Sequence, residues 1–152
     1  GLINNPYLDL LQNYAKGKFS QVVFVCAKIE AELAQLNKEE RQEYLVELGL
    51  DEPGLNKIIQ AGYELLGLQT FFTAGPKETR AWTVQKGSTA PQAAGKIHTD
   101  FEKGFIKAEV VSYQDYADSN GEAGAKGRGK WRLEGKDYLM LEGDVAHFRF
   151  NI

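Results

Sequence analysis

Two short runs of β-branched and aromatic residues, Thr70-Phe71-Phe72-Thr73 and Thr79-Arg80-Ala81-Trp82-Thr83-Val84, flank the turn-prone Ala74-Gly75-Pro76-Lys77-Glu78. Gly and Pro set the dihedrals that reverse a chain, so this spacing predicts an antiparallel hairpin. A hairpin is marginal by itself in water and must recruit further strands and a covering helix. Pro91 to His98 is predicted to supply the helix, with Pro at its first position, and Phe105 to Tyr113 the next strand. Asp137 to Met140 is predicted to pair with Val145 to Phe150 across Glu142-Gly143-Asp144. The expected core is Phe72, Trp82, Val84, Ile97, Phe105, Ile106, Val110, Leu139 and Val145. Gly121 to Gly129 reads either as a loop or, through Ala123, Ala125 and Lys126, as a short helix beside the sheet.

The resulting order, two strands, a helix and three strands, is that of a β-grasp sheet. It occupies residues 67–152, and a change of character near Gly67 is the one domain boundary predicted. Before it, Pro6 to Lys16 reads as a short helix stopped by Gly17. Val22-Val23-Phe24-Val25-Cys26-Ala27 is a continuous apolar run, predicted as a strand buried on both faces of a parallel sheet. Asn37 and Glu40 form a capping-box signature for a helix to about Leu48. Leu55, Ile58, Ile59, Gly62, Tyr63 and Leu66 recur at helical spacing after Asp51-Glu52-Pro53-Gly54. Helices around one buried strand make residues 1–66 an α/β piece, whose strand in isolation would expose apolar edges and favour self-association.

The chemistry the chain can carry is narrow. The phosphate-loop pattern GxxxxGK[ST] does not occur, so nucleotide hydrolysis by this chain alone is not expected. Two histidines, His98 and His147, and one cysteine, Cys26, lack metal-ligand spacing, and no metal is predicted. His98 with Asp100, or Cys26 with His147, each lack a third catalytic group. No apolar run reaches the ~20 residues a membrane helix needs, and no basic-then-apolar leader opens the sequence. With a lone cysteine, this reads as a cytoplasmic protein with no membrane partner.

The net charge of −3 is unevenly spread. Residues 1–66 hold 6 Lys and Arg against 10 Asp and Glu, whereas residues 67–152 hold 12 against 11. Lys126, Arg128, Lys130, Arg132 and Lys136 fall within eleven residues with Glu134 as the only acid. These cations are candidates for neutralising RNA phosphates, with Trp131 and Tyr138 available to stack on unpaired bases.

The run IHTDFEKGFIKAEVVSYQDY from Ile97 to Tyr116, the segment Gly121-Glu122-Ala123-Gly124-Ala125-Lys126 and the stretch KDYLMLEGDVAHFRFNI from Lys136 to Ile152 resemble the C-terminal TGS domain of the YchF/Obg-like ATPases, P-loop nucleotidases that bind ribosomes. The likeness spans nearly the whole chain. Residues 1–66 are similar to the end of the family's nucleotide-binding domain and residues 67–152 to its TGS domain, of β-grasp fold. The resemblance implies an α+β protein with an α/β remnant in front. It also implies that the nucleotide-hydrolysing part, with the family's Asn-x-x-Glu base-selecting motif, lies before Gly1.

Cys26-Ala27-Lys28 looks like the last nucleotide motif of GTPase-type proteins, where a small residue lets the main chain approach the purine; these three residues are carried over as nucleotide contacts. A strand end in an α/β sheet is a fitting place for them. ATP with Mg is implied for the full-length parent, and no cofactor for this chain. The implied partner is the ribosome or RNA. An alternative is a protein–protein adaptor using the sheet face, with the acidic 1–66 stretch suited to a basic partner.

Overall fold

The computed structural model describes residues 5–18 and 20–151. The chain divides into two compact units, Gly1–Leu65 and Leu66–Ile152.

In the first unit, helix α1 (Pro6–Lys16) starts where the Asn5 side chain accepts the Tyr7 N–H at 3.1 Å. Helix α2 (Ala27–Leu33) follows an irregular segment, and α3 (Lys38–Glu47) opens on the expected reciprocal box. Glu40 N–H donates to Asn37 Oδ1 at 2.9 Å, and Asn37 N–H donates to Glu40 Oε2 at 3.1 Å. Helix α4 (Gly54–Leu65) is capped from a distance, its Gly54 N–H donating to Glu30 Oε1 at 2.8 Å. Arg41 ties α3 to the end of α2 through the Leu33 and Leu36 carbonyls, at 3.2 and 3.3 Å.

The strand expected at Val22–Ala27 does not form. Residues 21–26 carry no regular structure, and Ala27 already belongs to α2. A strand exists only through ladder hydrogen bonds to a neighbour, and all the strands among the described residues lie in the second unit. Val22, Val23 and Phe24 are accordingly only half-buried, and among the described residues of this unit the buried apolar ones are Ala15, Leu33 and Leu45.

The second unit is a mixed α+β layer structure. Strands β1 (Leu68–Ala74) and β2 (Thr79–Gln85) form the expected antiparallel hairpin, in register from Leu68 opposite Gln85 to Ala74 opposite Thr79. Helix α5 (Ala90–Ile97) and the short α6 (Thr99–Lys103) lead into β3 (Phe105–Ser112). Helices α7 (Tyr113–Asp118) and α8 (Glu122–Gly127) precede β4 (Arg132–Glu134) and β5 (Asp144–Phe150). The sheet order is β2-β1-β5-β3-β4, with β5 parallel to β1 and antiparallel to β3.

Two departures from the sequence reading concern this sheet. Residues 137–140 do not pair with β5. The Asp144 carboxylate accepts the Leu141 N–H at 2.9 Å, and Asp144 N–H donates to the Leu141 carbonyl at 3.2 Å, closing a tight turn that sends β5 into the sheet centre. The segment before that turn instead bridges toward α5, Met140 N–H meeting the Ser88 carbonyl at 2.9 Å. The fifth strand is the three-residue β4, hidden in the basic run and paired with β3.

Each sheet face has its own core. On one side α5 packs Ala90, Ala93 and Ala94 against Phe71, Val84, Phe105, Ala108, Val110, Met140, Ala146 and Phe148. The alanines let the helix backbone approach the strands closely. On the other side Val111, Val145 and Ala125 of α8 are joined by Phe72, Tyr116 and Trp131. Of the expected core, Val84, Phe105, Val110 and Val145 are buried, and Phe72, Trp82 and Ile97 are half-buried. Ile106 and Leu139 are more than half exposed. A register shift between Phe105 and Lys107 turns Ile106 outward, and Met140 rather than Leu139 takes the inward position. Gly121 to Gly129 contains the short-helix alternative, α8. No helix among the described residues is long and apolar enough to cross a membrane.

Candidate functional site

The basic run is folded around the sheet, not laid out as one stripe. Trp131 packs with the cluster beneath α8, and Tyr138 packs with the α5 cluster on the opposite face. Helix α8 carries Lys126, whose ammonium lies 2.6 Å from Glu122 and 3.6 Å from Glu109, and 5.0 Å from the Trp131 ring centroid. The Trp131 indole N–H donates to Glu109 Oε2 at 3.1 Å. Arg128 donates to the Asp118 carbonyl at 3.0 Å, and Lys130 stands 3.3 Å from Asp115. Hydrogen bonds from Ser112 and Lys130 hold the Asp115 carboxyl below its usual range.

Arg132 Nε lies 3.2 Å from Glu134, and its guanidinium donates to the Tyr138 hydroxyl oxygen at 3.1 Å. That hydroxyl donates to Asp144 Oδ2 at 2.8 Å. Burial, then the Asp144 hydrogen bond, push the Tyr138 pKa up to about 12, so the phenol stays protonated near neutrality. Lys136 is exposed and has no partner among the described residues. Of the five cations singled out in sequence, Lys136 and Arg128 therefore have no acidic partner among the described residues, Arg128 meeting only a backbone carbonyl. The ion pairs of Lys126, Lys130 and Arg132 are nonetheless formed by solvent-accessible cations, and pairs of that kind hold their partners only weakly.

Glu109 and Arg149 carry no local sequence signal, because they are far apart in the chain and converge only through the β3–β5 register. Arg149 Nε donates to Glu109 Oε1 at 3.0 Å. Burial alone would raise the Glu109 carboxyl; hydrogen bonds from Arg149 and Trp131 and the charges of Arg149 and Lys126 overcome it and leave the group below its usual range.

In the first unit, Cys26 lines a cavity of about 360 Å³ with Val23, Val25, Ile29, Glu30 and Lys57. Ala27 and Lys28 lie outside its lining, and Lys28 stands 3.9 Å from Glu32. Glu30 is engaged in capping α4. His98 serves as the cap of α6, its Nδ1 accepting the Asp100 N–H at 3.2 Å. Among the described residues no group of His, Cys, Asp and Glu is arranged to hold a metal ion.

This architecture has close relatives. Residues 68–151 match the family YchF-GTPase_C, described as a protein of unknown function (DUF933). The chain belongs to this family. It is 62% identical over 152 residues to the ribosome-binding ATPase YchF of Haemophilus influenzae, covering all of this chain and 42% of the relative. It is 56% identical over 148 residues to the Bacillus subtilis protein of the same name, covering 97% of this chain and 40% of that one. The solved Schizosaccharomyces pombe YchF GTPase superposes with a TM-score of 0.80 at 38% identity, covering 95% of this chain and 39% of that structure. The chain thus spans about two fifths of the length of the relatives it matches.

Proposed function

We propose that this chain is the docking part of a YchF-type ribosome-binding ATPase. In this reading residues 67–152 are a TGS domain of β-grasp fold that binds the ribosome through RNA, and residues 1–66 are the end of the nucleotide-binding domain. ATP with Mg is handled by the full-length protein, in the cytoplasm, and this chain alone does not turn over. The observation that carries the reading is the sheet order β2-β1-β5-β3-β4 with α5 across one face, within the span of the family match. Exchangeable cations on the second unit supply the physical means. Cys26, Ala27 and Lys28 are what remains of the base pocket, of which Cys26 alone lines a cavity.

The test is co-sedimentation of the chain with purified ribosomes across a salt series, with and without ATP. Binding that weakens with salt and ignores ATP supports the reading. Binding that needs ATP would show that the Cys26 region still senses nucleotide, and no binding at any salt would sink the docking role and leave the adaptor. Lys136→Glu and Arg128→Glu are the informative charge reversals, because Lys126 and Lys130 are already paired with acids of the fold.

A further inference from the structure

Strand β5 places Arg149 directly opposite Lys107 of β3, and His147 directly opposite Glu109. The next facing pair, Val145 and Val111, belongs to the core beneath α8, so all six side chains project from that side of the sheet. Like charges opposed across an antiparallel ladder repel. The acid that relieves Arg149 is Glu109, which accepts Arg149 on Oε1 and on Oε2 accepts the Trp131 indole at 3.1 Å, with Lys126 3.6 Å from that same oxygen. Glu109 is thereby engaged by three partners, and Lys107 has no partner among the described residues. Three cations, Lys107, Lys126 and Arg149, share this side with His147, which is exposed, and with two acids, Glu109 and Glu122, both engaged.

We propose that this sheet side, centred on the Lys107–Arg149 rung, is a phosphate-binding surface for an RNA backbone. An oxyanion between the two cations removes their repulsion and gives Lys107 the partner the fold withholds. Arg149 and Lys126 are already oriented by Glu109, so little side-chain freedom is lost when a phosphate arrives. The inference rests on the RNA-docking reading above, but moves the centre of contact from the Lys126–Lys136 run to residues remote from it in sequence.

The experiment measures binding of a short labelled RNA hairpin to the full chain by fluorescence anisotropy, over a salt series. The variants are Lys107→Ala, Lys107→Arg, Lys107→Glu and, as a remote control on the β1–β2 turn, Lys77→Glu. Lys107→Ala is expected to weaken binding severalfold and lower the log–log salt slope by about 0.7 to 0.9, with Lys107→Arg restoring both. Lys107→Glu should cost far more than Lys77→Glu. Equal losses for these two reversals, or an unchanged slope in Lys107→Ala, would overturn the assignment. Absence of RNA binding by the unaltered chain would overturn it as well, and ribosome co-sedimentation of the same sample separates that result from failure of the docking role.

Discussion

The Tyr138 hydroxyl donates to Asp144 Oδ2 at 2.8 Å, linking the loop before β5 to a carboxylate that is 2% exposed. Arg132 of β4 donates to the same hydroxyl oxygen, so one phenol joins an edge strand to the central strand's first residue. Tyr138→Phe should cost about 1 to 3 kcal/mol, because the buried carboxylate keeps the Leu141 N–H but loses its phenol donor. A tyrosine whose folded pKa lies above its unfolded value stabilises the fold below the unfolded value. That contribution is lost as pH rises from about 10 to about 12. Urea titrations at neutral pH and across that alkaline window check both points, and the phenylalanine variant should lack this particular alkaline loss.

Phe71 and Phe72 are adjacent but belong to opposite faces. Phe71 is fully buried, meeting Phe148 edge-on with ring centroids 5.8 Å apart. Phe71→Ala should destabilise by about 3 to 5 kcal/mol, and the half-buried Phe72→Ala by less than about 2 kcal/mol. Chemical denaturation of the two variants, read on the same probe, tests the register.

Two glycines of α8 should respond with opposite signs. A Cβ on Gly124 would collide with the Ser119 carbonyl oxygen, whereas one on Gly127 meets nothing within 4 Å. Gly124→Ala should cost about 1 to 3 kcal/mol through forced backbone movement. Gly127→Ala should stabilise by up to about 1 kcal/mol through helix propensity. Thermal melts of the pair decide it.

The first unit exposes Tyr7, Leu10 and Tyr14 on α1, and Leu55, Ile58 and Ile59 on α4. Concentration-dependent self-association through these faces is expected in sedimentation velocity, and should diminish in Leu55→Lys with Ile59→Lys. Amide exchange should be faster at residues 21–26, which have no ladder, than in β1 and β5. A strictly monomeric chain with slow exchange at 21–26 would refute this.

What the sequence made legible follows from where the determining interactions lie. The β1–β2 hairpin and the Asn37–Glu40 box are set by residues close in sequence and appear as expected, and α5 begins at Ala90, one residue before the expected Pro91. Val22 to Ala27 has the composition of a strand, but ladder partners decide whether composition becomes a strand, and its unit offers none among the described residues. The turn at Asp144 defeated the Asp137–Met140 pairing because a side-chain carboxylate, invisible to hydrophobic alternation, closes it. The basic run was conspicuous in sequence, yet its charges are mostly matched by Asp115, Glu122 and Glu134. The Lys107–Arg149 rung was hidden because only a long-range register makes those residues neighbours.

Strand β5 joins the β2-β1 pair to the β3-β4 pair and comes after all of them in the chain. Until it is available the sheet is two disconnected halves, and Phe72 must wait for Val145 across a long loop. During synthesis, a ribosome still enclosing the final strand would hold this unit incomplete. Folding would then finish only after that strand emerges, as a single late step rather than by gradual growth from the hairpin.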